Sequence, residues 1–137
     1  MTEEVELDGQ MVRFTHSLFD MGTAAHLLDN DPFTLIRGME ANPLMLQIDF
    51  PTPRNIQVLR LTTGTMDLFT LTVKAFVDVE GEPVTTSEQF VNVGSDPELR
   101  IELPETDGPI ARLRIEIHDE SSGENANIHV RELVLEP

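Results

Sequence analysis

The sequence predicts an all-β, antiparallel β-sandwich or barrel, and three observations carry that prediction. Apolar residues recur with a period of two over most of the chain. Clusters of Gly, Pro, Asn and Asp punctuate those runs at regular spacing, and only one stretch departs from the period. Short, evenly spaced strands separated by tight turns are the signature of sandwiches and barrels.

The clearest strands are three. Leu44, Leu46, Ile48 and Phe50 alternate with Met45, Gln47 and Asp49. Leu71, Val73, Ala75 and Val77 alternate with Thr72, Lys74 and Phe76, and Leu113, Ile115 and Ile117 alternate with Arg112, Arg114, Glu116 and His118. Successive side chains of a strand point to opposite faces, so each run has one face to bury. Shorter runs of the same kind, VRFTHSL, NIQVLRLTT, EQFVNV, LRIEL and IHVRELVLE, bring the number of strands to about eight. Turn chemistry separates them: NP at 42, PTP at 51, TTG at 62, EGEP at 80, GSDP at 94, TDGP at 106 and SSGEN at 121. The apolar phases place Leu46, Ile48, Val58, Leu71, Val73, Leu113, Ile115, Ile117, Val130 and Leu135 in the core.

The exception to the period is MGTAAHLL, residues 21–28, where Thr23 can cap a helical turn and Ala24, Leu27 and Leu28 share a face. Domain organisation is then one flexible N-terminal segment, residues 1–10, followed by a single β-sandwich domain, residues 11–137. A chain of 137 residues buries roughly 68% of its unfolded surface, enough for a core without staples.

Composition excludes several functions. With no cysteine there is no disulfide framework, thiolate metal site or thiol nucleophile. Against 25 Asp and Glu stand only 9 Lys and Arg, a formal net charge of −16, and Lys74 is the only lysine. Nucleic acids and anionic membrane surfaces are bound through cations that neutralise phosphates, so both are disfavoured as partners. No apolar run approaches the roughly 18 residues that cross a bilayer as a helix, and MTEEVELDGQ is acidic where an export signal would be basic and then apolar. None of the four histidines has a serine in a nucleophile-elbow setting, no HExxH helix is present, and there is no Gly-rich phosphate loop. A non-enzyme is expected.

One segment concentrates polar chemistry. In LLDNDPFTLIRG, residues 27–38, Asp29, Asn30, Asp31 and Thr34 supply hard oxygens of the kind calcium takes. An EF-hand would place Asp29, Asp31 and Glu40 at its positions 1, 3 and 12, but Phe33 then lacks the oxygen needed at position 5 and Thr34 replaces the glycine of position 6. The alternative is a pair of Asx turns, in which Asp caps its own backbone. A second signal lies in IHVRELVLE: Ile128 and Val130 keep one strand phase and Leu133 and Leu135 the opposite one. A bulge around Arg131 would re-aim Glu132, leaving it either solvated or turned toward a cation.

LLDNDPFTLIRG, LQIDFPTPRNIQVLRLTTG and IHVRELVLEP resemble the calcium loop, first long strand pair and closing strand of discoidin-type domains. These are the galactose-binding-like jelly rolls of coagulation factors and of carbohydrate-binding modules in bacterial glycosidases. The resemblance runs from about His16 to the C-terminus and implies an eight-stranded jelly roll with one short N-terminal helical turn. It implies a structural calcium held by Asp29, Asp31, Thr34 and Glu132, with Asn30 in place of the usual glycine and Leu35 and Ile36 where a tryptophan is usual. It also implies a monomeric, non-catalytic carbohydrate-binding accessory module of a larger, extracytoplasmic protein. The alternative is a structural or protein-interaction domain that lacks a sugar site, favoured by the absence of Trp and Tyr, which otherwise stack on sugars. Phe50 and Phe90 read as core, and Phe33 and Phe69 lie near predicted loops. Of the polar candidates Arg37, Arg54, His26 and His118, Arg37 flanks the loop, and Phe33 and Arg37 are the expected ligand contacts.

Overall fold

A computed structural model describes all 137 residues. Eleven strands follow in chain order: β1 (Thr2–Leu7), β2 (Gln10–His16), β3 (Phe19–Met21), β4 (Ile36–Gly38), β5 (Leu44–Arg54), β6 (Val58–Thr63), β7 (Leu68–Phe76), β8 (Val84–Val91), β9 (Glu98–Glu102), β10 (Ile110–Asp119) and β11 (His129–Glu136). They form two antiparallel sheets, one ordered β1-β2-β5-β10-β7-β8 and the other β3-β4-β11-β6-β9. All eight strands read from the period are present; β1, β3 and β4 are additional. The expected helical turn is a 3₁₀ turn, Ala24–Leu27, which buries Ala24 and Leu27.

The period-two runs become the central rows of the larger sheet. Ile115 on β10 lies between Leu46 of β5 and Val73 of β7, and Leu113 lies between Ile48 and Ala75. Those side chains are buried against Leu59, Leu61, Leu99, Ile101, Val130, Leu133 and Leu135 of the second sheet. Nine of the ten expected core residues are buried. Val58 is the tenth. It lies half-buried on the outward face, because Leu59 and Leu61 take the inward phase of β6.

The first seven residues are more ordered than the sequence reading of 1–10 as a flexible segment anticipates. Thr2–Leu7 pairs along its whole length with β2, turning through Asp8 (φ 50°) and Gly9 (φ 86°). Two contacts tie it down. Val5 enters the core, and Glu3 Oε2 lies 2.6 Å from His16 Nε2 and accepts the Ala24 N–H at 3.1 Å. His16 is itself buried, its Nδ1 is 2.6 Å from the Ser17 carbonyl, and its ring stacks on Phe19 at 3.8 Å. Burial of an imidazole is costly unless both nitrogens are satisfied, and residues of the first strand satisfy one of them.

Candidate functional site

The 3₁₀ turn ends at Leu28, and the loop from Asp29 to Leu35 then packs beside β11 on its way to β4. Asp29 Oδ1 accepts the Asp31 N–H at 2.9 Å, and Asp31 Oδ1 accepts the Phe33 N–H at 2.9 Å. These are two successive Asx turns. Asn30, between them, has φ 57°, the left-handed conformation that Asn adopts more readily than most residues. Gly22, which leads into the turn, has φ 80°, and a Cβ there would collide with the Leu35 carbonyl. A glycine is needed for the loop to lie this close.

The Asx turns leave a surplus of acceptors. Thr34 Oγ1 lies 2.6 Å from Asp29 Oδ2, 3.0 Å from the Asp31 carbonyl and 3.2 Å from the His26 carbonyl. A hydroxyl has one proton to donate, so two of those three oxygens go without it. Glu132 adds to the imbalance. The ladder between β11 and β6 is broken between Val130 and Glu132, the bulge that the phase switch anticipates. Leu133 and Leu135 face inward after the bulge, and Glu132 is turned toward the Asp29 carboxyl, with Oε1 buried and unpartnered.

The electrostatics follow from this crowding. Burial, and then the facing Asp29 carboxylate, push the Glu132 carboxyl up to about 7. Burial also acts to raise Asp29, but the bonds from the Thr34 hydroxyl and the Asp31 N–H outweigh it and hold Asp29 below the usual carboxylate range. The pair therefore carries one ionised and one protonated carboxyl at mildly acid pH, as expected when like charges are forced together. Arg131, at the bulge, does not neutralise them: its Nη1 donates to the Pro32 carbonyl at 3.2 Å, and its Nε lies 3.6 Å from Asp96 Oδ2.

Asp29, Thr34 and Glu132 are thus brought together. Asp31 takes part through its carbonyl, while Oδ1 of its carboxylate accepts the Phe33 N–H. The His26 carbonyl joins the same group of oxygens and left no trace in the sequence, because carbonyl direction is set by the fold. No three His, Cys, Asp or Glu side chains converge anywhere in the molecule, so this group depends on hydroxyl and carbonyl oxygens as much as on carboxylates.

The two expected ligand contacts have different surroundings. Phe33 is 88% exposed at the tip of the loop, its ring making no part of the core. Arg37 sits opposite His129 across the β4–β11 pair and is held by Asp20, Nε to Oδ1 at 2.6 Å. That bond raises the Arg37 pKa and is the largest cause of the lowered Asp20 pKa. Phe69 is fully buried and stacks on the half-buried Phe90 at 5.1 Å. Of the other polar candidates, Arg54 is paired with Asp8 at 2.8 Å, the His26 Nδ1 accepts the Thr23 N–H at 3.0 Å, and His118 is exposed at the end of β10. The two principal grooves lie elsewhere. One, of ≈ 720 Å³, runs between the β5–β6 and β9–β10 connections, and the other, of ≈ 340 Å³, lies beside Arg13, Asp49 and Arg112.

No protein-family model matches the sequence, and none of the curated proteins does. Solved structures match across nearly the whole chain. The CBM32 of AlyQ in complex with 4,5-unsaturated mannuronic acid aligns at TM-score 0.71 and 12% identity, covering 98% of each chain. A pectin-binding carbohydrate-binding module aligns at TM-score 0.68 and 10% identity, covering 100% of this chain and 93% of its own. The family 32 module from C. perfringens NanJ in complex with galactose aligns at TM-score 0.61 and 14% identity, covering 90% of each. The fold is the discoidin-like, galactose-binding-domain jelly roll shared with those carbohydrate-binding modules.

Proposed function

We infer that this domain is a non-catalytic carbohydrate-binding module, an accessory part of a larger extracytoplasmic protein, and that a structural calcium ion fastens its first loop to its last strand. The observation that supports the first part most is the likeness in fold, over at least nine-tenths of the chain, to modules solved with sugars bound. The calcium reading rests on the oxygens of the loop. The orphaned Glu132 Oε1 and the one-proton, three-acceptor arrangement at Thr34 are satisfied together by a hard cation that prefers six to eight oxygen ligands. Asp29, Thr34 and Glu132 would hold it through their side chains and His26 and Asp31 through their carbonyls. Bound there, calcium supplies the positive charge that lets both carboxyls ionise. The chain's own contribution is to hold the loop in register, through the two Asx turns and the Arg131 bond to Pro32.

For sugar recognition, Arg37 is the stronger of the expected contacts. With Asp20 and His129 it forms a polar group beside the calcium loop whose members can donate to and accept from vicinal hydroxyls. Phe33 offers an exposed apolar face nearby in sequence. Titration calorimetry against galactose-, glucose- and uronate-type oligosaccharides, with and without calcium, is the test. Weak heats that Arg37→Ala reduces are expected. Flat heats throughout would favour the second reading, a structural or protein-interaction domain, which the absence of Trp and Tyr supports.

A further inference from the structure

The larger groove belongs to neither the calcium loop nor the Arg37 group. It lies where β6 begins and β9 and β11 end, beside Pro137, whereas the loop crosses the start of β11. It is lined by the apolar Ile56, Val58 and Leu103 together with the polar Asn55, Gln57, Arg100, Glu102 and Glu105. The groove is open, and its volume of ≈ 720 Å³ leaves room for a disaccharide.

Three features make it more than a surface crease. Its shape is held by backbone bonds: Leu103 N–H to the Gln57 carbonyl and Gln57 N–H to the Glu136 carbonyl, each 2.8 Å, with Thr106 Oγ1 to the Gly108 carbonyl at 2.7 Å closing the far turn. A preformed site spares a ligand the cost of ordering its loops. Asn55 and Gln57 are exposed at the groove and their side-chain amides make no hydrogen bond inside the protein, so each keeps a donor NH₂ and an acceptor carbonyl free for a ligand. The charge is also one-sided, since Arg100 is neutralised by Glu102 at 2.8 Å and Glu105 stands alone. An anionic ligand is repelled here, and this separates the groove from a uronate site.

Donors and acceptors interspersed with apolar side chains, with no net positive charge, match a neutral saccharide, whose hydroxyls need both kinds of partner and whose ring presents C–H faces. We propose that this groove is a second binding site, for neutral saccharides, at the opposite end of the closing strand from the calcium loop. The inference shares with the proposed function the premise that the domain binds sugar.

The experiment is a ¹⁵N–¹H titration of the whole domain with mannobiose, cellobiose and galactobiose, with digalacturonate as the charged control. At least one neutral disaccharide should shift the amides of Asn55, Gln57 and Thr106, and digalacturonate should not. The double variant Asn55→Ala, Gln57→Ala should weaken that response about tenfold with the rest of the spectrum unchanged, whereas Arg37→Ala should leave it alone. Shifts confined to Arg37 and His129 would overturn the groove and leave the proposed function standing. No shift with any sugar would overturn both, and shifts at the groove with digalacturonate alone would overturn the choice of ligand.

Discussion

Ile115 on β10 and Glu132 on β11 both sit in strands, yet the two positions are held by different physics. Ile115 meets Leu46 and Val73 in a row of apolar side chains that needs no directional bond. Glu132 meets Asp29 in a pocket of oxygens with too few protons to share. Removing apolar surface from water is non-directional and insensitive to ions, whereas a surplus of acceptors changes sign with whatever cation or proton is supplied. The sandwich should therefore be stable by itself, and the loop conditionally so.

The largest test of that contrast is truncation in the sandwich. Ile115→Ala leaves a cavity between two strands, and fully buried Ile-to-Ala changes cost about 2–5 kcal/mol. Urea unfolding should show that loss equally in calcium and in chelator. A loss that depends on calcium would mean that loop and core are one cooperative element.

Next in size is the ion. A cation bound only by the folded state stabilises by roughly 2.7 kcal/mol at 100-fold excess over its dissociation constant. The melting temperature should fall on chelation and recover with calcium but not with magnesium, whose octahedral shell suits a carbonyl-rich loop poorly. Asp29→Ala should abolish the response and leave the far-ultraviolet circular dichroism of the sheets unchanged. Indifference to chelator, at salt high enough to screen general carboxylate repulsion, would reduce the segment to its two Asx turns.

The same contrast explains what could be read from the sequence. Leu44 to Phe50 and Leu113 to Ile117 declare their strands because alternation is a local record of which face is buried. The phase switch at Arg131 and Glu132 likewise announced a bulge. Thr2–Leu7 was missed because much of what holds it is not local: Val5 is buried and Leu7 packs against the core, and Glu3 acts through His16 and Ala24, far along the chain. Val58 was misplaced against the phase of its own strand: with Leu59 and Leu61 inward, alternation puts the adjacent valine outward. At the loop the acids were legible as oxygen donors, but that Asp31 turns its carboxylate to Phe33 and offers its carbonyl was not. The groove at Asn55 and Gln57 has no motif, since it arises from two connections more than forty residues apart.

The smallest effect is the most diagnostic, because it separates a proton from a calcium ion at the same carboxyls. In the chelated protein Glu132 has a folded pKa of about 7, above its ordinary 4.5. A raised carboxyl binds its proton more tightly in the folded state, so its contribution is complete below about pH 4.5 and is lost as pH rises through about 7. Asp29, held below its ordinary value, acts in the opposite direction and only at lower pH: its contribution is present above 3.8 and fades as pH falls through its folded pKa. Between pH 5 and 8 the Glu132 decline should dominate, by roughly 1 kcal/mol once solvent screening of this half-buried group is allowed for. Saturating calcium should flatten or reverse the decline, since the cation takes the place of the proton and both carboxyls ionise. Glu132→Gln should remove the decline in chelator and blunt the calcium response as well. A Glu132→Gln protein that loses the decline but keeps the full calcium response would mean that Glu132 titrates beside the loop without ligating anything in it.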